Sequence, residues 1–129
     1  MSRVALVGLT LLCLAAASAR AQDPAKVDAK HYQVVLENAQ VRVLHVRYGP
    51  HEKSVMHKHP GAVAVFLSAQ DARFTLPGGK TVERHAAAGE AQWTPAETHL
   101  PENLGDQPLE LILVELKAKP GAGHTKVAP

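Results

Sequence analysis

Cysteine is almost absent from this 129-residue chain, whose only cysteine is Cys13. Cys13 lies within residues 1–21, which resemble a secretory signal peptide: Arg3 supplies the positive charge, Val4 to Ala17 form a short apolar run, and an Ala-x-Ala cleavage site ends at Ala21. We therefore expect cleavage after Ala21 and a secreted, periplasmic protein. The mature chain would then have no disulfide, no thiolate metal ligand and no cysteine nucleophile.

Net charge is also lacking in the mature chain. Two of the 14 basic residues, Arg3 and Arg20, lie in the segment that we expect to be removed, so that 12 basic residues remain against 12 acidic ones. No basic cluster remains to indicate binding to nucleic acid or to a lipid surface. We therefore expect no nucleic-acid partner and, once the signal peptide is cleaved, no membrane partner.

Helical periodicity is missing from the mature chain as well. No stretch repeats apolar residues at the i, i+3, i+4 spacing of an amphipathic helix. Short runs with period two instead alternate with turn signals at intervals of roughly eight to twelve residues, which predicts an all-β sandwich or barrel. The predicted strands are 31–37, 41–48, a short segment ending at 57–59, 62–67, 71–76, 81–85, 90–95 and 109–116.

Two of these strands have features of their own. Residues 62–67 are an apolar run without alternation, which suits a strand that is buried on both faces. Residues 71–85 predict a hairpin, because Gly78 and Gly79 supply the positive φ that tight turns require. Phe66 and Phe74 are the aromatic core candidates.

The chain divides into four segments. Residues 1–21 are the signal peptide and residues 22–30 a polar, loose lead-in. Residues 31–118 form one β domain, whose length suits a single core. Residues 119–129 are rich in proline, glycine and alanine, and we expect a flexible tail.

The familiar catalytic motifs Gly-x-Ser-x-Gly, Walker A and Cys-x-x-Cys are absent. The sequence does contain His57-Lys58-His59. On a strand, residues i and i+2 share a face, so both imidazoles project side by side, and imidazole is the commonest side-chain metal ligand. Two histidines chelate weakly, and His99 is the candidate third ligand. Taken alone, the pattern fits two exposed polar residues as well as a metal site.

The spacing of these histidines resembles the first of two motifs in the cupin superfamily of small jelly-roll barrels, G(x)5HxH(x)3–4E(x)6G. Gly49 lies two residues early, and His57-Lys58-His59 supplies the histidine pair. Val63 or Ala64 stands where the motif has its glutamate. The match is therefore partial.

The second cupin motif, G(x)5PxG(x)2H(x)3N, is also present in part. Gly89 and Pro95 have the spacing of the motif, and so do His99 and Asn103. Glu97 replaces the internal glycine, and one residue is missing before the histidine. Together with the strand pattern, the two motifs extend the resemblance over residues 31–118.

The resemblance implies an all-β, single-domain, cupin-type jelly-roll β-barrel with a divalent metal ion at its mouth. Its ligands would be His57, His59 and His99. Three imidazoles with an open position resemble the ligand set of three-histidine cupin dioxygenases and that of hydrolytic zinc enzymes. The first candidate for the metal is Fe(II), with Zn, Mn and Ni as alternatives.

Three further residues are candidates for the pocket. If residues 97–99 are extended, Glu97 shares a face with His99 and could reach the metal, but the replaced glycine favours an exposed turn. Trp93 either walls the pocket or, as we favour, is a core aromatic. Asn103 either orients a ligand or bonds the backbone near the site, or it is a plain turn residue.

Two functions stay open at this point. The first is a metal-dependent enzyme acting on a small molecule: a dioxygenase with Fe(II), or an isomerase, lyase or hydrolase with a non-redox metal. Glu97 and Glu102 are the only nearby carboxylates that could act as a general base. The second is a non-catalytic cupin module that binds a small molecule or a metal. Polar groups around the open metal positions would favour catalysis, and an apolar mouth would favour binding. The resemblance also suggests a homodimer through edge strands.

Overall fold

The computed structural model describes residues 22–118, which form nine strands and one short helix. The predicted signal peptide and tail lie outside the described residues. The elements are α1 (Pro24–Val27), β1 (Tyr32–Glu37), β2 (Val41–Tyr48), β3 (His57–His59), β4 (Ala62–Phe66), β5 (Gln70–Thr75), β6 (Thr81–Ala86), β7 (Ala91–Thr94), β8 (Glu97–Asn103) and β9 (Leu109–Leu116). The all-β prediction is confirmed. Within residues 22–118, no helix has the length and apolar character needed to cross a membrane.

The strands form two antiparallel sheets. One has the order β1-β2-β9-β4-β7 and the other the order β3-β8-β5-β6. The longest pairing joins β2 to β9 without interruption, from Val41 opposite Leu116 to Tyr48 opposite Leu109. The predicted hairpin joins β5 to β6 through Gly78 and Gly79, whose φ angles are 90° and 94°.

The core lies between the two sheets because alternate residues of each strand point inwards. On β9, Leu109, Leu111 and Leu113 are buried, and on β2 Leu44 is fully buried. Phe66 from one sheet and Phe74 from the other complete the aromatic part, as predicted.

Strand β4 departs from the prediction. Ala62, Ala64 and Phe66 are buried, whereas Val63 and Val65 are only half-buried. The expectation of burial on both faces is wrong, because β4 belongs to a sheet that is covered by strands on its inner face only.

The segment 22–30 is more ordered than a loose lead-in. Asp23 caps α1 by accepting a hydrogen bond from the Ala25 amide, and Pro24 is fully buried. The carbonyl of Gln22 accepts a hydrogen bond of 3.1 Å from the Lys58 amide. This segment therefore packs directly beside the histidine pair.

Strand β8 was not among the predicted strands, because its polar residues and Pro101 are unfavourable in a strand. It nevertheless pairs with β3 on one side and with β5 on the other. Its central position in the sheet brings His99 to the histidine pair.

Candidate metal centre

Strands β3 and β8 bring the three predicted ligands together. His57 and His59 are buried while Lys58 between them is exposed, as strand alternation requires. His57 lies directly opposite His99 in the register of the two strands. Each of the three histidines offers a nitrogen atom, and these atoms lie within 4.8 Å of one another. That convergence is the geometry of a three-histidine metal site.

Hydrogen bonds fix the ring of His57. Its Nδ1 lies 2.8 Å from the carbonyl of Val55 and 3.3 Å from Oγ of Ser54. A carbonyl can only accept, so Nδ1 carries the proton, and the neutral ring presents its lone pair at Nε2. This Nε2 is buried and has no hydrogen-bond partner within residues 22–118.

A buried network continues from Ser54 towards the surface. Ser54 donates a hydrogen bond of 2.5 Å to Asp28, and Asp28 accepts one from Nδ1 of His31 at 2.7 Å. The other ring nitrogen of His31 lies 2.5 Å from Glu52. His31 also stacks on Tyr48 with ring centroids 4.3 Å apart. The sequence left His31 without a role, and the structure makes it part of the support behind His57.

A carboxylate fixes the ring of His59. Nδ1 of His59 donates to Oε1 of Glu115 at 2.7 Å, and Oε2 of Glu115 accepts from Arg42 at 2.7 Å. Burial alone would raise the pKa of Glu115, but the hydrogen bonds from His59 and Arg42 outweigh it and lower that pKa. Arg42 is held in turn by two hydrogen bonds to Asp23. Glu115 is therefore ionised and directs Nε2 of His59 away from itself.

His99 has no comparable support. Its ring packs against Phe74, with centroids 4.9 Å apart. Its Nδ1 is buried without a partner among the described residues, and the nearest carboxylate oxygen, on Glu97, is 3.6 Å away. His99 is thus positioned by packing and by its strand.

Burial keeps these rings neutral. Burial, with a further contribution from the neighbouring His59, lowers the pKa of His57 to about 4. The same two causes, joined by His57 and Arg84, lower the pKa of His99 to about 2. Metal ions bind the neutral imidazole, so both rings are ready to bind at neutral pH.

The donor set fits a divalent metal ion. A buried polar atom without a partner costs about 1–3 kcal/mol, and a metal at Nε2 of His57 would remove that cost. Three imidazole nitrogens suit iron, zinc, copper or nickel, and hydrogen bonds from the second ring nitrogen are the usual support for such ligands.

Glu97 does not lie on an exposed turn, and that expectation is wrong. It begins β8 and shares a face with His99, as the extended alternative required. Two hydrogen bonds of 2.9 and 2.7 Å join its carboxylate to Arg84. Glu97 is therefore bound to Arg84 and is not one of the three residues that converge at the site.

Trp93 is not a core residue. It is 60% exposed, on the outer face of β7, so both the core and the pocket-wall readings are wrong. Its ring lies over Gly61, where a Cβ atom would come within 2.9 Å of the indole. The residue covers a turn outside the site, because β7 is an edge strand.

Among the described residues, the side chain of Asn103 forms hydrogen bonds with backbone groups only. Its Nδ2 donates to the carbonyls of Gly49 and Gln107, and its Oδ1 accepts from the Gly105 amide. Of the alternatives, the structure supports the backbone and turn role and gives no contact with a histidine ring.

Sequence reasoning missed Glu115, although a signal was present. Leu109, Leu111 and Leu113 mark the inner face of β9, and Glu115 continues the same alternation. A charged residue on a buried face needs a partner, so its position could have indicated a polar site. Nothing local in the sequence identifies that partner as His59.

A cavity of about 90 Å³ adjoins the histidines. His59 and His99 line it, whereas His57 is fully buried behind them. Its walls are mainly apolar and come from both sheets: Val46, Ala64, Phe66, Ala72, Phe74, Leu109, Leu111 and Leu113, with Tyr32 and Tyr48.

Comparison with known proteins gives similarities at the level of structure. No protein-family model matches the chain, and no curated protein matches it significantly. A cupin domain from Bordetella pertussis Tohama I is similar with a TM-score of 0.63 and 24% identity, over 67% of this chain and 92% of that one. An RmlC-like cupin family protein from Methanocaldococcus jannaschii has a TM-score of 0.53 and 15% identity, over 66% and 77%.

A third similar structure is a conserved protein with a double-stranded β-helix domain from Klebsiella pneumoniae. Its TM-score is 0.52 at 25% identity, over 71% of this chain and 78% of that one. The similarities concern the fold and leave the reaction open. The resemblance predicted from the two motifs is confirmed: this chain has the cupin-type jelly-roll fold, and three buried histidines converge within it.

Proposed function

We propose that this protein binds a divalent metal ion through His57, His59 and His99 and acts on a small molecule held in the adjoining cavity. The observation that carries the proposal is the unpartnered Nε2 of His57, buried at the point where the three rings meet. The cupin-type fold supports it, since the same positions were expected from the two motifs.

The favoured activity is that of an Fe(II)-dependent dioxygenase-type enzyme. Bound Fe(II) would supply redox chemistry with O2, whereas Zn, Mn or Ni would supply Lewis-acid chemistry. The chain's own residues hold the ligands: Val55 fixes the tautomer of His57, Glu115 fixes that of His59, and Phe74 packs against His99. The apolar walls of the cavity would orient the small molecule.

One observation favours the second candidate, a cupin that binds without turnover. The two carboxylates of the cavity lining are both near arginines: Glu97 is hydrogen-bonded to Arg84, and Glu102 lies 3.9 Å from Arg73. Glu97, which makes the two hydrogen bonds, is not free to act as the general base that hydrolase or isomerase chemistry would require.

Elemental analysis tests the proposal directly. The full-length chain, the variants His57→Ala and His99→Ala, and the control His85→Ala on the exposed face of β6 would be purified from the periplasm. We expect near-stoichiometric metal in the parent and the control, and its loss in both site variants. Iron would call for O2-consumption assays, and zinc or manganese for non-redox ones. A parent without metal, even after reconstitution, would overturn the proposal.

Secretion and dimer formation are two further predictions. The protein purified from the periplasm can be used to test both. We expect mass spectrometry of the periplasmic protein to show a chain that begins at Gln22. Edge strand β1 exposes Val34, Val35 and Leu36, which a second copy could cover. Light scattering that shows only monomer would contradict the dimer, and an uncleaved chain would contradict the signal peptide.

A further inference from the structure

The cavity beside the histidines exists because small residues face each other across the two sheets. Ala64 on β4 and Ala72 on β5 are almost fully buried and line the space. Its volume of about 90 Å³ compares with the roughly 10–15 Å³ that one water molecule needs by the same measure. The space is therefore large enough for a small organic molecule.

Most of the polar side chains in the cavity lining already have partners in the protein. The hydroxyls of Tyr32 and Tyr48 bond each other at 2.6 Å, and Thr94 donates to the carbonyl of Ala62. The amide of Gln92 donates to Glu90 at the surface. Asn103 is hydrogen-bonded to the backbone, and Arg84 is hydrogen-bonded to Glu97. Each of these groups therefore makes at least one hydrogen bond within the protein.

Gln70 is the amide side chain of the lining that lacks such a partner among the described residues. It is only 8% exposed and lines the cavity, yet its amide makes no hydrogen bond to any residue in the part of the chain that the structure describes. It shares the inner face of β5 with Phe74, which contacts His99. Four residues of strand separate the two, roughly 13 Å, so the cavity runs from the histidines to Gln70.

The charged side chains of the lining are paired within the protein. Among the described residues they are Arg84, Glu97 and Glu102: Glu97 neutralises Arg84 through two hydrogen bonds, and Glu102 lies 3.9 Å from Arg73. Transfer of an unpaired charge into an apolar space is costly, whereas a neutral polar group needs only a hydrogen bond. A carboxamide both donates and accepts, so Gln70 can bond a hydroxyl, a carbonyl or an amide.

We infer that the cavity binds a neutral, mainly apolar small molecule whose single polar group is recognised by Gln70. The inference names the class of ligand that the proposed site would take. It rests on the proposed function only for the contact between that ligand and the metal ion. Gln70 would act as a specificity-determining residue at the end of the cavity remote from the histidines.

Four probes of similar size test the inference: benzyl alcohol, toluene, benzoate and benzylammonium. Their affinities would be measured by ligand-observed NMR on zinc-loaded and metal-free full-length protein, with zinc content determined in the same samples. In the metal-free protein we expect benzyl alcohol to bind most tightly and both ions at least tenfold more weakly. Tighter binding of either ion to the metal-free protein would overturn the inference.

Gln70→Met keeps the length of the side chain and removes its hydrogen bonds, and Gln92→Met is the matched control at the exposed end of the lining. We expect Gln70→Met to weaken benzyl alcohol binding roughly three- to tenfold, to leave toluene unaffected, and Gln92→Met to change neither. Equal losses for both probes, or none, would overturn the role of Gln70. Should Gln70→Met fail to fold, the preference of the parent for benzyl alcohol over toluene decides the point.

These measurements distinguish a failure of the proposed metal site from a failure of the cavity inference. Probe binding to protein that takes up no zinc would keep the cavity inference and overturn the proposed metal site. Zinc uptake with no binding of any neutral probe would keep the metal site and overturn the cavity inference.

Discussion

The two strands that meet at the metal centre hold their histidines in different ways. On β3, His57 is fixed by a hydrogen bond to Val55 in the preceding loop, and His59 by one to Glu115 on β9. On β8, His99 has apolar packing against Phe74, and its Nδ1 has no partner among the described residues. Hydrogen bonds fix the rotation and tautomer of a ring, whereas packing fixes only its place. The site therefore combines a rigid polar side with an apolar side that adjoins the cavity.

The largest effect should follow from Glu115→Gln, which breaks the rigid side. The buried carboxylate bonds both His59 and Arg42, so we expect metal affinity to fall roughly 10–100-fold. The free energy of unfolding should fall by up to about 3–5 kcal/mol, moderated because Asp23 still holds Arg42. Competition with a chromophoric chelator and urea unfolding measure the two quantities.

The matched control is Glu110→Gln on the same strand. Glu110 pairs with His45 at 2.6 Å, but both side chains are about one-third exposed. We expect a change in stability of about 0–1 kcal/mol and no change in metal affinity. Equal effects of the two variants would show that Glu115 has no special role behind His59.

On the apolar side, Phe74→Leu should have the next largest effect. The variant removes ring contacts with His99 and Arg84, and we expect a loss of about 1–3 kcal/mol in the free energy of unfolding. Metal affinity should fall less than in Glu115→Gln, because no hydrogen bond to a ligand is lost. Phe66→Leu, a buried phenylalanine on the opposite sheet, should lose similar stability and keep its metal affinity. A greater loss of metal affinity in Phe74→Leu than in Glu115→Gln would show that the apolar packing, rather than the hydrogen bonds, contributes most to holding the ligands.

Ser54→Ala tests the outer part of the rigid side. It removes the hydroxyl between His57 and Asp28, which should cost about 0.5–1.5 kcal/mol of stability. Metal affinity should change little, since the Val55 carbonyl still holds His57. Ser68→Ala, at a half-buried serine away from the site that also takes part in two hydrogen bonds, is the control. A loss of metal affinity as large as that of Glu115→Gln would assign the serine the main role in holding His57.

The smallest effect is expected from Glu97→Gln. The carboxylate lies 3.6 Å from His99 but is bonded to Arg84, so metal content and affinity should stay the same. Glu83→Gln, at an exposed partner of Arg73 on β6, is the control. Loss of metal in Glu97→Gln alone would make Glu97 a ligand after all and would give the apolar side a polar support.

Much of the fold could be predicted because it depends on local patterns. The strands at 41–48 and 109–116 have the predicted bounds, since alternation of side chains along a strand is a property of the backbone. The same alternation places His57 and His59 on one face. Strand β8 was missed because its pairing with two neighbours outweighs the poor local propensity of Pro101.

The sequence by itself identified His57 and His59 as metal-ligand candidates, because imidazole chemistry and the two-residue spacing are local properties, and it added His99 through the spacing of the second cupin motif. Only the tertiary structure decided what surrounds them. It pairs His59 with Glu115, which is 56 positions away, and Glu97 with Arg84 across the sheet. It also turns Trp93 outwards on an edge strand. These outcomes depend on strand order and register, which long-range pairing sets and no local pattern records.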